Sequence, residues 1–123
     1  MNGYGKELIL DIHECDPTKF TRDSLTNFFE ILCDKIDMEA EDLYFWDYEG
    51  YPEEYKKDPD DIKGTSAIQF IRTSNITVHT LDVLQKVFLN IFSCRDFNTD
   101  IAISFSKEYF KGKIVGEKVL RRE

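Results

Sequence analysis

Special-purpose residues are scarce in this 123-residue chain, which has three cysteines, three prolines, six glycines, one tryptophan and two histidines. Cys15, Cys33 and Cys94 show no CxxC spacing. Tetrahedral zinc wants four clustered ligands, so no metal site is expected. An odd cysteine count without a secretion signal points to a reducing cytoplasm and to three free thiols buried as small hydrophobes. No apolar run approaches the ~18–20 residues that cross a bilayer. The opening Met1-Asn2-Gly3-Tyr4-Gly5-Lys6 lacks the basic-then-apolar layout of a signal peptide. No membrane partner is therefore expected. Positive charge is the minority sign, with 16 Lys and Arg against 24 Asp and Glu, a formal net charge of −8. Phosphate binding needs a basic surface, so nucleic acid is disfavoured as a partner.

What remains is the composition of a folded domain. Hydrophobic residues make up 41% and aromatics 14%. That is enough apolar surface for one ordinary domain, residues 1–123, without staples. Glu7 to His13 alternates as a half-buried strand, and Cys15-Asp16-Pro17 ends it. Thr21 to Ser24 supplies helix N-cap candidates, and Leu25, Phe28, Phe29, Leu32 and Ile36 recur at spacings of three and four, predicting an amphipathic helix to about Asp37. Leu43 to Tyr51 reads as an aromatic-rich strand, and Pro52 to Lys63 as an acidic connection long enough to serve as a lid or specificity element. Strands follow over Ala67–Ile71, from Ile76, and over Leu84–Cys94, with Arg72 to Asn75 as a polar break. Asn98 to Asp100 caps a helix through Tyr109 or Phe110 that Gly112 stops, and Lys113 to Leu120 closes the chain as a strand. The string β-α-β-β-β-β-α-β lacks a helix between each pair of strands. It predicts an α+β two-layer sandwich, a mostly antiparallel sheet with two helices packed on one face.

The polar residues worth weighing are Ser66, Ser74, His79 and Cys94. Taken singly, a serine between strands is ordinarily a turn residue and a strand histidine a satisfied structural one. There is no GxSxG elbow, Walker loop, GxGxxG or HExxH.

Together they carry a resemblance. The stretch from Gly64 to Cys94, GTSAIQFIRTSNITVHTLDVLQKVFLNIFSC, resembles the core of the small prokaryotic S-adenosylmethionine decarboxylases, with its pattern GVSGVxxxxESHxxxHTWPExxxxxxDxFTC. The opening GKELILDIHECD and the closing KGKIVGEKVLRRE are similar to that family's first and last strands, and only the 52–63 region is poorly matched. The resemblance implies a self-processing, pyruvoyl-dependent decarboxylase that acts on S-adenosylmethionine in spermidine and polyamine synthesis, without metal or pyridoxal phosphate. It places the pyruvoyl precursor and Schiff-base former at Ser74, with the chain broken between Thr73 and Ser74 into a 1–73 β chain and a 74–123 α chain. Ser66 and His79 fall on the residues that assist processing, and Cys94 on the proton donor of decarboxylation. The spacings of eight, five and fifteen residues are kept without gaps. Leu81-Asp82-Val83 stands where the family has the substrate-binding Trp-Pro-Glu, with Leu81 at the aromatic, Val83 at the acid and Asp82 one place away, and Thr73 and Asn75 replace Glu and His around the serine. These departures leave two alternatives open: a pyruvoyl decarboxylase of ornithine or arginine, or an unprocessed homologue acting as a regulatory or interaction subunit. The resemblance also implies a homodimer whose sites draw on both protomers.

Overall fold

The computed structural model describes residues 3–123; Met1 and Asn2, part of the stretch read for a leader, lie outside them. Six strands form a single sheet: β1 (Gly5–His13), β2 (Ala40–Trp46), β3 (Gly64–Ile71), β4 (Ser74–Leu81), β5 (Lys86–Ser93) and β6 (Lys113–Arg122). Their order is β2-β3-β4-β5-β1-β6, and every neighbouring pair is antiparallel. Helices α1 (Arg22–Lys35) and α3 (Thr99–Phe110) pack together against one face. The expected α+β sandwich and its order of strands and long helices are present.

Period-two patterning explains why the sheet has one covered face. Leu8, Leu10 and Ile12 of β1, Ile76 and Val78 of β4, and Val87, Leu89 and Ile91 of β5 are buried against the helices. Thr21 caps α1 by accepting from the Ser24 N–H, and Asn98 caps α3 by accepting from the Ile101 N–H. Between the helices Phe28 stacks on Phe105, the planes 9° apart, with the Phe110 centroid 4.7 Å from its own. Truncating Phe28 to alanine would cost about 3–5 kcal/mol.

Three boundaries differ from expectation. The aromatic strand stops at Trp46, because Tyr48–Tyr51 is a β-turn. The Tyr51 N–H donates to the Tyr48 carbonyl, and Gly50 takes a φ of 84°, as the third position of a type II turn demands. The acidic connection contains a short helix, α2 (Pro52–Lys57), and a 3-10 turn, Asp60–Ile62. Pro52 at the start, Glu53 and Glu54 in the first turn and Lys56 and Lys57 in the last match the helix dipole. So short a helix shows no apolar period. The polar break shrinks to a two-residue turn, Arg72-Thr73, and Ser74 already pairs with Ile71 on β3.

Lys111, at a φ of 54°, rather than Gly112 makes the left-handed cap of α3. Gly112 is needed for space, since a Cβ there would lie 2.5 Å from Ile12 Cγ2 and 2.7 Å from Cys15 Sγ. No helix among the described residues is long and apolar enough to cross a membrane.

Candidate active site

The candidate residues gather at the two ends of β4. At the end nearer β2, Ser66 of β3 and His79 of β4 are direct cross-strand partners, with Ser66 Oγ 2.8 Å from His79 Nδ1. Both are half-buried on the sheet face that carries no helix, and the His79 ring lies along that of Phe88 at 6.5 Å. Gly64 sits two residues before Ser66, and a Cβ there would overlap the Thr80 carbonyl oxygen. A larger residue would therefore force β3 from β4 next to the pair.

A cleft of about 500 Å³ opens beside this pair, lined by Trp46, Tyr48, Tyr51, Glu54, Ser66 and His79 among others. Arg22, at the start of α1, braces its rim. Its Nε and Nη2 donate to Asp47 Oδ2 and Oδ1 at 2.6 and 2.8 Å, and Glu49 Oε2 lies 2.5 Å from Nε. The hydrogen bonds from Arg22 hold the Asp47 carboxyl below the usual range. Two tyrosines tie the region of α2 to the sheet end. Tyr48 donates to Asp58 Oδ2 at 2.6 Å, a bond that pushes its hydroxyl up to about 12. Tyr55 donates to Asp82 Oδ2 at 3.0 Å, and burial raises the Asp82 carboxyl even so. Asp82 is thus engaged by Tyr55. Leu81 is buried and lies outside the cleft lining.

At the other end Ser74 opens β4 between Ile71 of β3 and Ser93 of β5. Asn75 Nδ2 donates to its Oγ at 3.1 Å, and the Cys94 N–H donates to the Thr73 carbonyl oxygen at 3.1 Å. Ser74 has a φ of 154°, outside the wells open to an L-residue. Because Cβ is offset from the carbonyl carbon by ~120° about N–Cα in an L-residue, this φ brings Cβ to within about 30° of eclipsing the Thr73 carbonyl carbon. At an ordinary strand φ near −120° the same torsion is about 120°. The backbone of Ser74 is therefore bent toward a five-membered ring of Thr73 carbonyl carbon, N, Cα, Cβ and Oγ. Cys94, the residue after Ser93, is half-buried with a free thiol. Cys15 and Cys33 are buried, and burial pushes both thiols up to about 11.

The structure joins Ser66 with His79, and places Ser74 beside Thr73 and Cys94. It does not join the two groups, because His79 lies five residues along β4 from Ser74, or about 16 Å at ~3.3 Å per residue. Spacing in the sequence conceals this, since the four residues look clustered. It also conceals Arg22, which gives no signal, and Asp47, Tyr48 and Tyr55, whose only signal is the density of aromatic and acidic residues from 44 to 58.

The fold is an α+β sandwich with a serine of positive φ where the β3–β4 hairpin turn enters β4. The family model for S-adenosylmethionine decarboxylase matches residues 6–123. The chain therefore belongs to the S-adenosylmethionine decarboxylase family, a family of carboxy-lyases. Among solved structures, the adenosylmethionine decarboxylase from Aquifex aeolicus VF5 is similar in fold, with a TM-score of 0.77 over 99% of this chain and 92% of that one at 14% identity. No curated protein matches the chain.

Proposed function

We propose that this protein is a self-processing, pyruvoyl-dependent decarboxylase of S-adenosylmethionine, working in the cytoplasm in polyamine synthesis as a homodimer. The observation that carries the reading is the backbone of Ser74. Strain of this kind costs about 1–3 kcal/mol and persists where the surroundings over-determine it, and here it directs the hydroxyl-bearing carbon at the neighbouring carbonyl.

In processing, Ser74 Oγ attacks the Thr73 carbonyl carbon. The C–O bond forms, the C–N bond breaks, and the hydroxyl proton passes to the freed nitrogen, leaving an ester. The Cys94 N–H, already on the Thr73 oxygen, stabilises the negative charge that develops there. A base then removes the Ser74 Cα proton, the Cβ–Oγ bond breaks, and Thr73 departs with a carboxylate. The dehydroalanine takes up water and releases ammonia, which leaves a pyruvoyl group on the 74–123 chain. The residues present fit this group: its precursor serine is bent for the shift, and Cys94, whose N–H meets the Thr73 carbonyl oxygen, carries a half-buried thiol. Once formed, the ketone supplies the electron sink for loss of CO₂. Cys94 returns a proton to the substrate carbon.

His79 is the base, and the ~16 Å separation along β4 means that it acts across a dimer. The bare sheet face presents Tyr44, Trp46, Ile68, Phe70 and Phe88, all substantially exposed, with Trp46 at 84%. A contiguous apolar face of this kind marks an interaction surface. Stacking two such faces about a two-fold axis that lies in the interface and runs perpendicular to β4 exchanges the two ends of that strand. His79 and Ser66 of the partner subunit then meet Ser74 and Cys94. The cleft beside the pair, with Trp46, Tyr51 and Glu54, suits a substrate that carries a sulfonium and an ammonium charge, because aromatic faces and carboxylates both attract cations.

Intact-mass analysis under denaturing conditions tests the reading. Two chains are expected, ending at Thr73 and beginning with a pyruvoyl group at position 74, together with CO₂ release from S-adenosylmethionine. Ser74→Ala should remain whole. A wild-type chain that stays single after long incubation overturns the proposal.

A further inference from the structure

Ser93 is the last residue of β5, wholly buried at 0% exposure, and pairs with Ser74 across the ladder. A buried hydroxyl on an otherwise apolar face costs stability unless its hydrogen bonds are made. Those of Ser93 are made, and they converge on the turn. Its Oγ lies 2.8 Å from Thr73 Oγ1 and accepts from the Arg95 N–H at 3.0 Å. Met38 Sδ lies 3.5 Å from Thr73 Oγ1 and 3.8 Å from Ser93 Oγ. The two hydroxyl protons are therefore both used, one between the oxygens and one toward sulfur, whichever oxygen donates to the other.

We infer that Ser93 is a positioning residue for self-cleavage, gripping the Thr73 side chain so that the Thr73–Ser74 peptide is held in the plane that acyl transfer to Ser74 Oγ requires. This rests on the reading of Ser74 given above. Thr73 stands in a two-residue turn, where a peptide unit would otherwise rotate to relax the φ of 154° at the next residue. Two restraints oppose that rotation. One is the Cys94 N–H on the Thr73 carbonyl oxygen; the other is the Ser93 hydroxyl on the Thr73 side chain. The threonine before the broken bond is thus a held residue, and its hydroxyl is the handle.

Ser93 acts on the first step alone, formation of the ester. In a His79→Ala chain that step still runs while elimination does not, and hydroxylamine reports it. Its nitrogen attacks the ester carbonyl, the Ser74 hydroxyl leaves, and residues 1–73 separate as a hydroxamate. We expect His79→Ala to be split by hydroxylamine, His79→Ala with Ser93→Ala to be split about tenfold more slowly, and His79→Ala with Ser93→Thr to return to within a few-fold of the parent. Thr73→Val, at a half-buried turn position, removes the other half of the pair without emptying the core and should slow the splitting to the same degree. Combining it with Ser93→Ala should add little further loss. Equal rates for parent, Ser93→Ala and Thr73→Val overturn the inference while leaving self-cleavage intact. A wild-type chain that never divides and a His79→Ala chain untouched by hydroxylamine overturn both.

Discussion

The two ends of β4 treat serine in opposite ways. Ser66 sits in a regular part of the β3–β4 ladder beside a histidine that hydrogen-bonds its hydroxyl. Ser74 has no such base, and its backbone is bent out of the ordinary wells next to a carbonyl oxygen that already receives an N–H. One end holds a hydroxyl–imidazole pair in relaxed geometry, and the other holds a serine in strained geometry. In the processing proposed above a hydroxyl becomes reactive by conformation, while the neighbouring imidazole that activates serine in other enzymes is placed at the far end of the strand. Each end lacks what the other has, which is why the processing proposed above draws on two copies of the chain.

The largest expected effect comes from keeping those copies apart. Ile68 lies midway along β3, next to the edge strand β2, on the bare face, and is exposed. Ile68→Asp should give a folded monomer by sedimentation and slow self-cleavage by at least 100-fold, because general base catalysis is worth 10²–10⁴. A monomer that cleaves at the normal rate would show that His79 acts within its own chain.

Cys94→Ala separates the two reactions at the Ser74 end. The backbone N–H on the Thr73 oxygen survives the change, so cleavage should persist, while CO₂ release from S-adenosylmethionine falls by about 100-fold. Loss of both reactions together would place the thiol in processing.

Smaller effects attach to the wall of the cleft. Tyr55→Phe removes the hydrogen bond to Asp82 and should lower stability by about 1 kcal/mol in chemical denaturation. Burial raises the Asp82 carboxyl in the folded chain. The folded state thus holds that proton more tightly than the unfolded state, and the contribution of Asp82 is fullest at low pH. It declines as pH rises through the carboxylate range and levels off once the folded carboxyl has ionised. Asp82→Asn should remove that decline from a series of melting curves. Asp47 has the reverse sign, since hydrogen bonds from Arg22 lower its carboxyl, and its contribution is lost as pH falls.

Much of the fold was legible because its signals are periodic. Leu8, Leu10 and Ile12 alternate on β1, and Leu25, Phe28, Phe29 and Leu32 trace one stripe of α1; both patterns end in the core as expected. Local chemistry without a period was harder to read. Helix α2 is too short to show a stripe, and the turn at Gly50 hides inside an aromatic run whose composition favours strand. Ser66, Ser74, His79 and Cys94 could be singled out only through the family resemblance, and their division between two ends of one strand is a property of the hairpin register. Ser93 escaped notice altogether, because a serine closing an apolar strand gives no sign that its hydroxyl will meet that of Thr73.

In the proposed dimer, His79 of one chain serves Ser74 of another. Chains carrying Ser74→Ala and chains carrying His79→Ala should each remain whole alone. Mixed under conditions that let dimers exchange, they form hybrids with one complete site, and intact-mass analysis should show division of the His79→Ala chains only, at the Thr73–Ser74 bond. If the mixture stays uncut while wild-type chains treated alike divide, the two ends of β4 do not meet across a dimer and the central claim is wrong.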